Sequence, residues 1–304
     1  MSRPNLDRRQ FLSLAAASAA ATALPAFAAP AASFEFLYIT DCHIQPELDA
    51  AHGTDMAMRR AREIHADFAI QGGDHVFDAL AVTASRASSL YDLYAKTEQD
   101  LGLKVHHTIG NHDVFGIYPA SGTPPTDPLY GKKMFADRFG PTWYSFDHKG
   151  VHFIVLDSIG ITADHNYEAR IDADQLAWLA ADLAKQPAGT PIIVSTHIPL
   201  VTALSSYTVQ PPNAKNYGFV NGPAAIKLFE GHNVLAVLQG HTHVNERVEW
   251  HGVPYITSGA VCGNWWKGTR MGTPEGFTVV TIANGKLTTR YETSGFKTIA
   301  PDNT

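Results

Sequence analysis

Metal-binding side chains follow five short apolar segments of the chain, each where a turn begins. The segments span residues 36–40, 68–71, 105–109, 192–196 and 234–239, and the polar residues after them are Asp41, His43, Asp74, Asn111, His197, His241 and His243. Carboxylate, amide and imidazole groups together suit borderline first-row metals such as Fe, Mn, Zn, Co or Ni. Two ions about 3.5–4 Å apart need a bridging carboxylate, so either Asp41 or Asp74 is expected to bridge.

The elements that must position these residues can also be read from the sequence. The five segments have the length and flanking turn residues of buried strands, and in open α/β sheets functional groups gather beyond the carboxyl ends of strands. Apolar periodicity predicts helices over 54–65, 79–101, 172–185, where Asp172 suits an N-cap, and 222–231. The pair Asn284-Gly285 predicts a hairpin over 277–291. The pattern predicts an α/β fold with one composite site.

The order of the motifs D-x-H, G-D, G-N-H-D, H and G-H-x-H resembles that of the calcineurin-like metallophosphoesterases, from about residue 34 to residue 291. The resemblance implies a four-layer αββα sandwich of two mixed β-sheets flanked by helices. It implies three ligands of a first metal ion, namely Asp41, His43 and His243. It implies three ligands of a second ion, namely Asn111, His197 and His241, with Asp74 as the bridge. It also implies that His112 is the catalytic histidine near the leaving group, oriented by Asp113.

The expected activity is that of a binuclear phosphoesterase acting on small phosphate mono- or diesters, nucleotides among them. Two divalent or trivalent ions (Fe, Mn, Zn or Co) would share a hydroxide that attacks phosphorus, and His112 would protonate the leaving oxygen. The motifs are similar to those of class III cyclic-nucleotide phosphodiesterases and of purple acid phosphatase relatives. Purple acid phosphatases carry a ligand Tyr three residues after the bridging Asp. This chain has Phe77 there, so a tyrosinate-bound ferric site is not expected.

An alternative is a non-catalytic exported protein that keeps the same fold to bind metal or a partner. Such a protein would be expected to have lost a ligand or the catalytic histidine. All seven ligands and His112 are present in this chain. The complete set therefore favours the enzyme.

A loop over residues 259–272 supplies candidates for substrate contact. Trp265 and Trp266 stand beside Lys267 and Arg270. Aromatic rings can stack on a base or a sugar, and cationic groups can hold a phosphate. The tryptophans could equally pack beneath the loop. His75, directly after Asp74, is a further candidate for contact with substrate or ligands.

The first 28 residues have the pattern of a twin-arginine signal peptide, and residues 29–304 form the predicted metallophosphoesterase domain. Arg8-Arg9 precedes a mildly apolar stretch over 14–24, and Ala26-Phe27-Ala28 resembles a cleavage site. We expect export by the twin-arginine machinery to the periplasm or the medium. The stretch is short for a bilayer, so no membrane anchor is expected in the mature form.

The net charge limits the kind of partner that the protein is expected to bind, and the cysteine content bears on disulfide bonds. The net charge is −6 and no basic stripe is present, so a nucleic-acid polymer is not the expected partner. A small phosphate ester is expected instead. The two cysteines, Cys42 and Cys262, do not form a disulfide framework, and the sequence leaves their pairing open.

Overall fold

Two β-sheets packed face to face form the centre of the computed structural model, which describes residues 32–208 and 218–302. The signal peptide predicted for residues 1–28 lies outside the described residues. The strands are β1 Phe34–Ile39, β2 Ala69–Gln71, β3 Val105–His107, β4 Tyr144–His148, β5 Val151–Val155, β6 Ile159–Ile161, β7 Tyr167–Ala169, β8 Pro191–Ser195, β9 Asn233–Gln239, β10 Glu246–Trp250, β11 Val253–Thr257, β12 Gly276–Ala283 and β13 Lys286–Thr293.

Both large sheets are mixed. The first has the order β13-β12-β1-β2-β3, in which β1, β2 and β3 are parallel and β12 runs antiparallel to both of its neighbours. The second has the order β10-β11-β9-β8-β5-β4, with four parallel central strands and antiparallel strands at the edges. Strands β6 and β7 pair separately as a short ribbon. The predicted hairpin is confirmed as β12 and β13, which pair up to Ala283 and Lys286.

The α-helices are α1 Ala50–Arg62, α2 Ala84–Glu98, α3 Lys133–Phe139, α4 Ala173–Leu183, α5 Leu204–Tyr207 and α6 Gly222–Leu228, and short 3₁₀ helices span Glu47–Asp49, Gln99–Leu101, Asn111–Asp113 and Pro119–Ser121. The helix predicted over 79–101 begins only at Ala84. The side chain of Thr83 accepts a hydrogen bond from the amide of Arg86 and so caps the helix at that point. Asp172 occupies the N-cap position of α4 as predicted. However, its carboxylate accepts a bond from Arg170 rather than from a helix amide.

The packing forms four layers. Along β1, Phe36 and its alternate neighbours face the second sheet, where Phe36 meets Phe153 of β5 at 5.4 Å between ring centroids. Leu37 faces the opposite way, into the cluster that contains Met58 of α1. Each fully buried Phe or Leu of this kind contributes roughly 1.5–3 kcal/mol. On the outer face of the second sheet, strands β8 and β9 pack in a cluster with α4 and α6. The predicted αββα sandwich is confirmed.

The strands that precede the candidate ligands end on one side of the sandwich. Strands β1, β2 and β3 are parallel neighbours in the first sheet, and β8 and β9 are parallel neighbours in the second. Hydrogen bonds join the sheets at these ends. Thr108 Oγ1 lies 2.7 Å from Ser195 Oγ, and the Tyr38 hydroxyl donates to the Thr196 carbonyl at 3.4 Å. The turns after the five strands therefore meet across the gap between the sheets. Within the described part of the chain, no helix has both the length and the apolar character to cross a bilayer.

Candidate metal centre

The bridging candidate Asp74 lies between histidines that come from different sheets. Its Oδ2 atom is 3.3 Å from Nε2 of His43, after β1, and 3.1 Å from Nε2 of His197, after β8. Nε2 of His197 is also 3.2 Å from Oδ1 of Asn111. One carboxylate oxygen therefore faces ligand atoms on both sides, which is the position that a bridging ligand requires.

Asp41 organises the other side of the site. Its Oδ1 atom lies 3.2 Å from Nε2 of His243 and 3.8 Å from Nε2 of His43. The Nε2 atoms of His43 and His243 are themselves 3.2 Å apart. His241 forms a group with Asp74 and His197 whose ligand atoms all lie within 4.8 Å of one another. All seven predicted ligands thus lie close together. Five of them, His43, Asp74, His197, His241 and His243, belong to groups whose spacing could hold a metal ion, and these groups also include His112 and Cys262.

Unusual backbone geometry turns the strand ends into the site. Five of the seven ligands have positive φ angles, in the left-handed region that non-glycine residues seldom adopt: Asp41 54°, His43 41°, Asp74 56°, His241 70° and His243 60°. Such residues cost on the order of 1–3 kcal/mol each and persist only where surrounding contacts hold them. The sharp turns bring residues two apart in the sequence, such as Asp41 and His43, into contact with the same neighbours.

Two motif glycines are required by close packing. A Cβ atom on Gly110 would overlap both the amide nitrogen and Oδ1 of Asp74. Gly73 has a φ of 108°, and a Cβ there would overlap the ring of His197. The glycine that precedes a ligand in these motifs therefore lets another ligand approach.

Hydrogen bonds to the backbone orient the ligand atoms. Nδ1 of His197 donates to the Gly72 carbonyl at 2.9 Å, and Nδ1 of His243 donates to the Gly263 carbonyl at 2.7 Å. A ring whose Nδ1 carries a hydrogen can offer only Nε2 to a metal, and in both cases Nε2 faces the carboxylates. Oδ1 of Asp74 accepts a bond from the amide of His112 at 2.8 Å, which leaves Oδ2 for the site.

The ionisation of the buried groups matches a site built for cations. Burial alone would raise the pKa of Asp74 and of Asp41, but neighbouring histidines outweigh it and hold both values below the ordinary range. Burial alone would lower the pKa of His197, but Asp74 and Asp41 raise it to about 9. Despite burial, the pKa of His243 is likewise raised, chiefly by Cys262 and Asp41.

The remaining two histidines are held neutral. Burial lowers the pKa of His43 to about 4 and that of His241 to about 3. At neutral pH both carboxylates are ionised, and the balancing positive charge is carried by protons on His197 and His243. Metal ions would displace those protons, because an imidazole ligates in its neutral form. The donor set therefore fits transition-metal ions.

Asp113 does not orient His112, and this prediction is wrong. The Asp113 carboxylate accepts bonds from the amides of Asp74 at 3.0 Å, His75 at 2.9 Å and Gly110 at 2.9 Å, and it bonds Nδ1 of His75 at 2.9 Å. No hydrogen-bond partner for Nδ1 of His112 is found among the described residues. Asp113 instead ties the turn after β2 to the turn after β3, since its side chain was needed to satisfy their buried amides.

We predict that Asp113→Asn weakens metal affinity by about 10- to 100-fold, the usual effect of losing a residue that supports ligands. An amide replaces one acceptor oxygen with a donor that would face backbone N–H groups. Competition with a chelator measures the affinity. Asp127→Asn is the matched control, because Asp127 also caps a backbone amide, that of Leu129 at 2.8 Å. Equal affinities in the two variants would contradict this role for Asp113.

His75 points away from the site, which corrects its assignment to substrate contact. Its ring is fully buried, and Nε2 lies 3.0 Å from Nδ1 of His107. It stacks on Phe139 with 4.8 Å between the ring centroids. The left-handed backbone at Asp74 turns the next side chain away from the site, a conformation that the sequence does not reveal. His75 supports the site through Asp113.

His112, Trp265 and His241 are the partly exposed side chains of the site, and they form its edge toward solvent. The His112 ring stands perpendicular to that of His43, 4.7 Å away. The indole of Trp265 packs over the ring of His43, with 4.1 Å between the centroids, and its centroid lies 5.1 Å from that of His112. The remaining ligands are buried beneath this edge. His112, Trp265 and His241 therefore line the open edge of the site.

Trp266 anchors the loop from below, so its assignment to substrate contact is wrong. Its side chain is fully buried, and Nε1 donates to the carbonyls of Cys42 at 3.1 Å and His43 at 3.0 Å. Its ring packs edge-on against Phe296 and fills the space over Gly53 of α1. The sequence could not separate it from Trp265, because the carbonyls that Trp266 bonds lie more than 200 positions away.

The other predicted loop residues and the cysteines have ordinary surroundings. Lys267 and Arg270 are half-buried, with backbone bonds to Asn264 and Thr273 respectively, and their part in substrate binding stays a prediction. Cys42 and Cys262 are both buried and free. Sγ of Cys262 lies 3.5 Å from Nδ1 of His243, beside the site rather than in a disulfide.

Comparison with known proteins identifies the family. The model of the calcineurin-like phosphoesterases matches residues 34–245. A cAMP/cGMP dual specificity phosphodiesterase of Mycobacterium tuberculosis is 27% identical over 167 residues, which span 53% of this chain and 45% of that protein. The chain thus covers less than half the length of this curated relative.

Solved structures share the fold. A dimetal phosphatase from Danio rerio superposes with a TM-score of 0.59 at 16% identity, covering 86% of this chain and 99% of that one. A purple acid phosphatase from yellow lupin seeds superposes with a TM-score of 0.57 at 14% identity, covering 87% of this chain and 52% of that one. With the family model spanning most of the described chain and the ligand groups in place, the protein belongs to the calcineurin-like phosphoesterases, which are metal-dependent hydrolases of phosphate esters.

Proposed function

We propose that the protein is a binuclear metallophosphoesterase that hydrolyses small phosphate mono- or diesters, nucleotides among them, outside the cytoplasm. The observation that carries the binuclear assignment is the position of Asp74. Its Oδ2 atom lies 3.3 Å from the nearest nitrogen of His43 and 3.1 Å from that of His197. A carboxylate that bridges two ions needs ligand groups on both sides of one oxygen, and this oxygen has them.

The ligands divide into two sets around that oxygen. The first set comes from the turns after β1 and β9 and consists of Asp41, His43 and His243. The second set comes from the turns after β3, β8 and β9 and consists of Asn111, His197 and His241. When bound, two cations would polarise the phosphoryl oxygens and activate a water molecule as the nucleophile.

A side chain of the protein, that of His112, would protonate the leaving oxygen. His112 stands at the exposed edge, and its amide donates to Oδ1 of Asp74 at 2.8 Å. This bond holds His112 in a fixed position relative to the bridging carboxylate. From there its ring can deliver a proton to the leaving oxygen, which is the role of a general acid.

The residue at position 77, Phe77, decides whether the metal centre could have a tyrosinate ligand. It lies three residues after Asp74, and its ring packs against Trp265 at 5.8 Å between centroids. A phenyl ring has no donor oxygen, so the centre would lack a tyrosinate ligand and its purple charge-transfer band. Fe, Mn, Zn and Co each remain compatible with the nitrogen and oxygen donors.

A panel of phosphate mono- and diesters, run on protein of measured metal content, tests the proposal. The panel includes nucleoside monophosphates and cyclic nucleotides, because the mycobacterial relative is a cAMP/cGMP phosphodiesterase. We expect turnover to rise with metal loading and to require close to two ions per chain. Protein that binds metal fully but hydrolyses no ester would favour the alternative, a non-catalytic binding protein.

Export by the twin-arginine machinery is part of the same proposal. An enzyme outside the cytoplasm suits the scavenging of phosphate or nucleosides from small external esters. Arg8→Lys with Arg9→Lys is predicted to retain the precursor inside the cell, because a receptor reads the arginine pair. Cell fractionation measures the result, and Arg3→Lys in the same segment is the control. An undiminished external yield of the double variant would argue against this route.

A further inference from the structure

We infer that Trp265 selects phosphate esters whose leaving group presents a flat, apolar face, such as an aryl or sugar ring attached at the leaving oxygen. The inference rests on the proposed function and specifies its substrate class. It is carried by the position of the indole beside His112, by its partial exposure, and by the way the surrounding loop is held.

Trp265 lies where a leaving group must pass. Its ring centroid is 5.1 Å from that of His112, the proposed proton donor. A leaving oxygen within hydrogen-bonding distance of His112 places its first substituent against the indole. The indole is partly exposed, whereas the neighbouring Trp266 is fully buried. Aromatic faces favour flat partners over flexible acyclic chains.

Hydrogen bonds of the neighbouring Trp266 hold the loop that carries this indole. Trp265 and Trp266 have φ angles of 55° and 65°, so the backbone is in the left-handed region at two consecutive non-glycine residues. The strained turn is held by Nε1 of Trp266, which donates to Cys42 and His43 carbonyls, and by the Thr298 hydroxyl, which donates to the Trp266 carbonyl at 2.7 Å.

Other rings support the indole itself. The centroid of the indole lies 4.1 Å from that of the His43 ring and 5.1 Å from that of the His243 ring. The plane of the Phe77 ring stands at 79° to the plane of the indole. A side chain positioned in advance loses little freedom when a ligand stacks on it, which favours specificity. The left-handed backbone and the partly exposed indole together indicate a binding surface, since packing alone would be served by burying both tryptophans.

The test compares Trp265→Leu with the wild type on three esters: phenyl phosphate, adenosine 3′-monophosphate and glycerol 2-phosphate. We expect kcat/KM to fall about five- to tenfold for the first two, as for the loss of one stacking contact, with a distinctly smaller fall for the acyclic ester. A loss confined to phenyl phosphate or to the nucleotide would assign the surface to aryl or to sugar rings. Trp250→Leu, at an exposed tryptophan on β10, is the control.

An equal loss on all three esters would overturn the inference, because it would show that Trp265 merely positions His43 and His112. A measurement without any variant gives an independent check. Wild-type protein should be inhibited several-fold more strongly by phenylphosphonate than by methylphosphonate, and equal inhibition would count against a stacking surface. Metal-loaded wild type that hydrolyses none of the esters would instead overturn the proposed function, and this inference with it.

Discussion

Asp74→Ala is expected to abolish metal-dependent turnover and to leave no more than one metal ion per chain. Removal of this carboxylate takes away the only oxygen that lies within 3.3 Å of both His43 and His197 among the contacts of the described residues. Loss of two-metal charge stabilisation should cost several kcal/mol, so turnover should fall by more than about 10³-fold. Elemental analysis and turnover of the same preparation measure both effects.

The surroundings of Asp74 explain why the loss should be large. The pKa of His197 is raised to about 9 partly by this carboxylate. Without it, His197 loses a charge partner and the amide of His112 loses its acceptor, Oδ1 of Asp74. The general acid would be displaced together with the metals.

Two comparisons make the result specific. Asp100→Ala removes an exposed carboxylate and should change neither metal content nor turnover. His241→Ala removes a ligand of the second set alone, so it should lose metal and activity together while its first ligand set stays complete. Full retention of two ions by Asp74→Ala would exclude a bridging role for Asp74.

The strands that carry ligands were the most predictable part of the fold. Strands β1, β2, β8 and β9 are largely buried apolar runs that end in turn residues, so local pattern alone identifies them. Strand β3 is weaker, because it is Val-His-His and only His106 is buried. The β4–β5 hairpin lacks such a marker. Although β5 is fully buried, no cluster of ligands follows it, and β4 has no buried residue and no alternation of burial. The sequence does not predict helix α3, Lys133–Phe139, because the residues around it, 115–143, have no clear apolar periodicity.

Long-range contacts explain what the sequence could not show at the site. The ligand types were readable because metal chemistry limits them to a few side chains. Their positive φ angles were not, since the left-handed turns at Asp41 and His43 depend on bonds to a neighbouring turn, such as the amide of Asp41 to the Gly73 carbonyl. The separation of Trp265 from Trp266 depends likewise on the carbonyls beneath Trp266, and these lie more than 200 positions away.

His112→Ala should separate catalysis from metal binding. The ring of His112 stands at the edge of the site, and its backbone amide, which the substitution retains, is the group that bonds Asp74. Metal content should therefore remain close to that of the wild type. Turnover of an alkyl or ribosyl ester should fall by about 10²–10⁴-fold, the usual contribution of a positioned proton donor.

The loss should depend on the leaving group, because an activated ester departs without a proton. Nitrophenyl phosphate should therefore lose much less than glycerol phosphate in the same His112→Ala preparation. A ligand role would show itself differently, since the variant would then lose its metals as His241→Ala does. A scaffold role would slow both esters equally. Only an unequal loss at intact metal content agrees with His112 as the group that protonates the leaving oxygen, so the ratio of the two rates carries the assignment.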